Sequence, residues 1–136
     1  MIDLIGTLRD IWNRVDTIFD MMRAQFVLKE TGGALLADGT EQVVMEVATP
    51  MGVFKPLTVK INCGNMTWGD STTLRWYEIT EATGALVKKD ELALNGPQVR
   101  PLINVGFEPN RHGMRLTLQQ TAGVNRNYSW EYLFED

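Results

Sequence analysis

The chain has 136 residues, 44% apolar and 22% charged, with a net charge of −4. That is room for one folded unit with its own core plus an appendage. It is not the composition of a disordered chain, and no run of Lys or Arg could track a phosphate backbone, which argues against a nucleic-acid partner.

The chain opens on a heptad seam. Ile5, Leu8, Trp12, Val15, Phe19, Met22 and Phe26 step alternately by three and four, and Leu4, Ile11 and Ile18 add a second row that lapses at Gln25. Asp3, Asp10, Asn13, Arg14, Thr17 and Asp20 fall on the opposite face. This spacing predicts an amphipathic α-helix over residues 3–29. Asp3 suits its start, Gly6 is its weak point, and Gly32 or Gly33 supplies a left-handed stop. The polar face mixes Asp3, Asp10, Asp16 and Asp20 with Arg9, Arg14 and Arg23, so neither a membrane span nor a basic membrane-surface helix is expected. Met1-Ile2-Asp3-Leu4 lacks the basic start of a secretory signal.

Such a helix would be a rod of about 40 Å, and alone in water it is marginal. It can be buried along its own sheet, in a homo-oligomeric bundle, or on a larger assembly. The aromatics at Trp12, Phe19 and Phe26 and the breadth of the stripe favour a bundle of three or more chains over a two-stranded coil. Arg9, Asp16 and Arg23 flank the seam where staggered interchain pairs can form. The expected interface is Leu4, Ile5, Leu8, Ile11, Trp12, Val15, Ile18, Phe19, Met22 and Phe26.

From Ala34 onward the signals are those of strands separated by turns. Residues 34–37 form a short strand before the Asp38-Gly39 turn. Val43, Met45 and Val47 alternate with Val44 and Glu46, and residues 48–52 break the run. Leu57, Val59 and Ile61 point inward. Asn62-Cys63-Gly64-Asn65 begins a long turn that closes at Gly69-Asp70. Residues 72–79 follow, with Trp76 and Tyr77 on opposite faces, and then a turn at 80–84. Lys88, Lys89, Asp90 and Glu91 mark 86–94 as an edge strand guarded by charge. After Asn95-Gly96-Pro97 come Val99, Ile103, Val105 and Phe107 on one face, then a loop at 108–113. Met114, Leu116 and Leu118 face in, and Tyr128, Trp130, Tyr132 and Phe134 line the last strand.

Seven or eight strands without a second helix predict a single antiparallel β-sandwich, jelly-roll or immunoglobulin-like, preceded by the long helix. The organisation is residues 1–31 for oligomerisation or docking and residues 34–136 for the sandwich.

Chemistry-bearing residues are sparse. The single cysteine, Cys63, rules out an intrachain disulfide, fits a reducing compartment, and reads as a small buried hydrophobe. His112, in Pro109-Asn110-Arg111-His112-Gly113, reads as a turn residue; with Cys63 it makes neither a zinc ligand set nor a supported nucleophilic pair. Asp38, Glu41, Asp70, Glu78, Glu81, Asp90, Glu91 and Glu108 sit in no acid–base or calcium motif and read as solvated surface. No enzymatic activity, cofactor or metal is expected. Trp68, in a turn, is the best candidate for an exposed aromatic that meets a ligand, with the 108–113 loop beside it. Trp76 and Trp130 read as core.

Leu36-Ala37-Asp38-Gly39-Thr40-Glu41-Gln42, Leu116-Thr117-Leu118-Gln119-Gln120-Thr121-Ala122-Gly123 and Tyr128-Ser129-Trp130-Glu131 resemble, over residues 35–135, small β-sandwich virion structural proteins of archaeal and bacterial viruses. The resemblance implies a capsid, decoration or spike-like subunit that acts by self-assembly, and it carries no catalytic or cofactor residues. The expected partners are further copies of the chain and other virion proteins, with assembly in the host cytoplasm. A carbohydrate- or receptor-binding module using Trp68 is the alternative.

Overall fold

The computed structural model describes residues 4–25, 28–48 and 55–135. One helix, α1 (Leu4–Gln25), is followed by eight strands: β1 (Leu28–Leu36), β2 (Gln42–Val47), β3 (Lys55–Asn62), β4 (Ser71–Glu78), β5 (Val87–Asn95), β6 (Leu102–Gly106), β7 (Met114–Ala122) and β8 (Asn127–Glu135). They form two four-stranded antiparallel sheets, ordered β1-β8-β3-β6 and β2-β7-β4-β5. The chain changes sheet at every connection except the β4–β5 hairpin. This is the jelly roll, two Greek keys wrapped into one sandwich, and it decides between the two expected topologies.

The connections gather at two poles. At one lie the turns after β1, β3, β5 and β7, tied together by Ala37 N–H to Arg126 O at 2.9 Å, Cys63 N–H to Pro101 O at 2.8 Å and Gly96 N–H to Asp70 O at 2.8 Å. At the other lie the turns after β4 and β6, joined by Ile79 N–H to Gly113 O at 2.9 Å. α1 precedes β1 at this second pole, because β1 runs from Leu28 opposite Glu135 to Leu36 opposite Asn127.

The core is the apolar layer between the sheets. Val59, Ile61, Val105, Tyr128 and Tyr132 come from one sheet, and Val44, Met45, Leu74, Met114, Leu116 and Leu118 from the other. Trp76 and Trp130 are half-buried and pack against this layer. The inward face of β8 is the expected row, with Trp130 opposite Ile61 and Tyr132 opposite Val59. One polar chain crosses the interior: Tyr128 OH lies 2.6 Å from Thr72 Oγ1 and donates to Gln120 Oε1 at 3.1 Å. Gln120 in turn donates to the carbonyls of Ala122 and Val124. Every member is satisfied, which is the condition for burying such groups.

Several expectations are corrected. The helix ends by Gln25, and Leu28–Leu36 is a strand, so the sandwich begins at residue 28 and the helical segment does not reach 31. Gly32 and Gly33 are not a helix stop. They pair with Glu131 and Trp130 in β1. A Cβ at Gly32 would meet Trp130 O at 2.7 Å, and one at Gly33 would meet the Trp130 ring at 3.4 Å, so the glycines let β1 approach β8. A bulge between Val43 and Met45 turns Val43 outward and buries Val44 beside Met45. Another between Pro56 and Thr58 exposes Leu57. Val99 precedes β6 and is 98% exposed. The expected Asp3 cap, Phe26, and most of the break at 48–52 lie outside the described residues.

Candidate functional site

Two surfaces merit attention, one on α1 and one at the pole that carries Trp68. α1 spans 22 residues, and its seam is uncovered: Ile5 is 73% exposed, Trp12 64% and Phe19 53%, with Leu8, Ile11 and Ile18 also exposed and Val15 half-exposed. Leu4 and Met22 lie on the helix, but their side chains are outside the described set, as is all of Phe26. The extended packing contacts run between strands, and no helix residue joins the core. Among the described residues, the apolar stripe of α1 is thus not seated on its own sheet. No helix among the described residues is long and apolar enough to cross a membrane.

At the other pole, Asp70 N–H donates to Thr67 O at 3.1 Å, and Gly69 has φ 89°. Together these form a β-turn of the type that needs glycine at its third position, with Trp68 second. Asp70 is only 2% exposed. Its carboxylate accepts from Thr67 N–H at 2.8 Å, Val124 N–H at 3.1 Å and Arg126 Nε at 2.8 Å. Those donors, the Thr67 amide foremost and then Arg126, hold its pKa below the usual carboxylate range. Asp70 is thus a keystone between the β3–β4 and β7–β8 connections rather than the solvated carboxylate expected. Its one sequence signal was the turn at Gly69-Asp70. Trp68 itself is 88% exposed.

The structure does not bring the 108–113 loop to Trp68. That loop belongs to the α1 pole, where Asn110 Oδ1 accepts from His112 N–H at 2.9 Å. His112 is a turn residue, as expected, and the length of the sandwich separates it from Cys63. Cys63 is fully buried, and burial pushes its thiol up to about 11, so it is not a nucleophile at neutral pH.

The outer face of the β2-β7-β4-β5 sheet carries a cluster that spacing did not reveal. Glu41 accepts from the hydroxyls of Thr117, at 2.7 Å, and Tyr77. These bonds lower the Glu41 pKa, and that to Glu41 raises the Tyr77 pKa. A carboxylate held ionised beside a phenol held protonated satisfies both groups and leaves neither poised for proton transfer. β5 is the charged edge expected: Arg75 Nε lies 3.0 Å from Glu91, Lys88 lies 3.1 Å from Glu91, and Lys89 lies 3.1 Å from Glu78 and 3.3 Å from Glu108. Among the described residues, no three His, Cys, Asp or Glu side chains group to hold a metal ion.

No protein-family model matches the chain, and no curated protein matches it significantly.

Proposed function

We propose that the chain is a non-enzymatic viral structural protein, a capsid or capsid-associated subunit, that self-assembles through α1 and the surfaces of its sandwich within a virion built in the host cytoplasm. The observation that carries this reading is the uncovered stripe on α1. Six large apolar side chains, Ile5, Leu8, Ile11, Trp12, Ile18 and Phe19, stand exposed on one helix. Fully burying each is worth about 1.5–3 kcal/mol, and a soluble chain does not leave such a row in water. A stripe repeating every seven residues is complementary to copies of itself. The jelly roll agrees by analogy, since viral capsids use it among other proteins.

Light scattering on the purified protein at low micromolar concentration tests this. The expected mass is that of a closed assembly of three or more 15.4 kDa chains, with Phe19→Glu reducing it to the single-chain value. A wild-type monomer would remove self-assembly as the role of α1.

A further inference from the structure

We propose that the Trp68 pole is a binding site for neutral pyranose glycans. The site belongs to a single chain and does not rest on the assembly reading above.

The placement of Trp68 is fixed. It occupies the second position of the Thr67–Asp70 turn, and the buried Asp70 carboxylate braces that turn against Val124 and Arg126. A side chain at Gly123, which has φ 89°, would collide with Asp70, so the brace admits only glycine there. The Trp68 ring passes over the β5–β6 turn: a Cβ at Gly96 would lie 3.5 Å from it. Gly96 N–H in turn donates to Asp70 O at 2.8 Å. A turn of this type has no need for tryptophan at its second position. The indole is held out on a rigid frame and contributes almost no burial to the fold.

The rim decides what it suits. Three amides lie in the connections that meet at the turn, Asn65 before Trp68 and Asn95 and Gln98 on either side of Gly96, each anchored at one end. Asn65 Nδ2 donates to Asn127 O at 2.9 Å. Asn95 Oδ1 accepts from Ser71 Oγ at 2.9 Å. Gln98 Nε2 donates to Asn95 O at 3.2 Å and Gly96 O at 3.1 Å. Among the described residues this leaves Asn65 Oδ1, Asn95 Nδ2 and Gln98 Oε1 without protein partners, two acceptors and one donor in fixed positions. Sugar hydroxyls, each both donor and acceptor, match such amides, and the C–H face of a pyranose stacks on an indole.

Asp70 and Arg126 are spent on each other at 2.8 Å, and Arg100 is the single charge on the β5–β6 connection, too little for a site that selects anions. Val99 and Val124 are exposed in the connections of this pole, and Leu36 and Leu102 at its strand ends, so a protein contact here is the competing occupant, and the test below separates it from a glycan.

An open platform of this kind binds weakly, with a Kd on the order of millimolar for one head. α1 enters at the opposite pole, so chains joined through α1 would keep their Trp68 poles free, and avidity would multiply that affinity.

The test is saturation-transfer difference NMR on the full chain with maltohexaose, cellopentaose, mannopentaose, galactotetraose and chitopentaose. Transfer to at least one sugar is expected. Trp68→Ala should abolish it, and Gln98→Ala should weaken it several-fold, with both variants keeping the wild-type melting profile. No transfer with any of the five, or equal transfer with Trp68→Ala, would overturn the proposal. So would a loss of oligomer mass in Trp68→Ala without sugar binding, which would make the pole a contact between copies.

Discussion

Among the described residues, Asp70 is the one buried Asp or Glu. One buried carboxylate holds three donors from two connections, with Arg126 as its counter-charge. Its pKa is lowered in the fold, so its contribution to stability is complete above the unfolded-state value of about 3.9 and is lost as pH falls through the folded value. Asp70→Asn should lower the urea midpoint at pH 7, and its gap to wild type should close as the buffer is taken from pH 5 to pH 2. A gap that stayed constant with pH would mean that the carboxylate's charge is not what stabilises the pole. Glu41 and Glu91 shift the same way, the first through Thr117 and Tyr77, the second through Lys88 and Arg75, and they add to the same acid limb. Tyr128→Phe removes the hydroxyl between Thr72 and Gln120, and should cost about 1 kcal/mol in chemical denaturation. Leu118→Ala, at a fully buried core position, should cost about 2–5 kcal/mol. Neither the Asp70 keystone nor the Glu41–Tyr77 pair was legible in the sequence. Glu41 meets Tyr77, and Asp70 meets Val124 and Arg126, from far apart in the chain, and of these contacts local spacing shows only the turn at Gly69-Asp70.

Elements were legible where periodicity was clean. The inward rows of β7 and β8 and the charged edge at β5 stand where alternation placed them. Bulges in β2 and β3 account for the misread faces of Val43 and Leu57, because one extra residue flips every side chain beyond it. The junction of helix and sandwich was misread for a different reason. Paired glycines after a helical run signal a stop, yet here they serve the close approach of β1 to the Trp130 backbone and ring. The correction alters how the helix should be removed. A cut after residue 29 would take the start of β1, whereas a cut after residue 25 leaves β1 and its pairing with β8 whole. A chain lacking residues 1–25 should therefore keep its near-ultraviolet circular dichroism and a cooperative melt, and should run as a monomer. Loss of that melt would place α1 inside the folding unit.

At the scale of the molecule, the two poles divide the labour. The sandwich closes its own core, with its polar chain satisfied, while among the described residues α1 makes no extended packing contact with it. A helix of 22 residues is marginal in water without tertiary packing, so its helicity must depend on whatever covers its stripe. If that cover is further copies of the chain, helix content becomes a function of concentration, while the sandwich, being intramolecular, does not. Diluting the wild-type protein from tens of micromolar to tens of nanomolar should reduce the helical ellipticity at 222 nm. The tertiary signals of the buried sheet aromatics should stay unchanged, and Phe19→Glu should show the diluted spectrum at every concentration. If helix content instead held constant down to nanomolar protein while light scattering gave a single chain, α1 would be stable without partners, and its apolar seam would no longer argue for assembly.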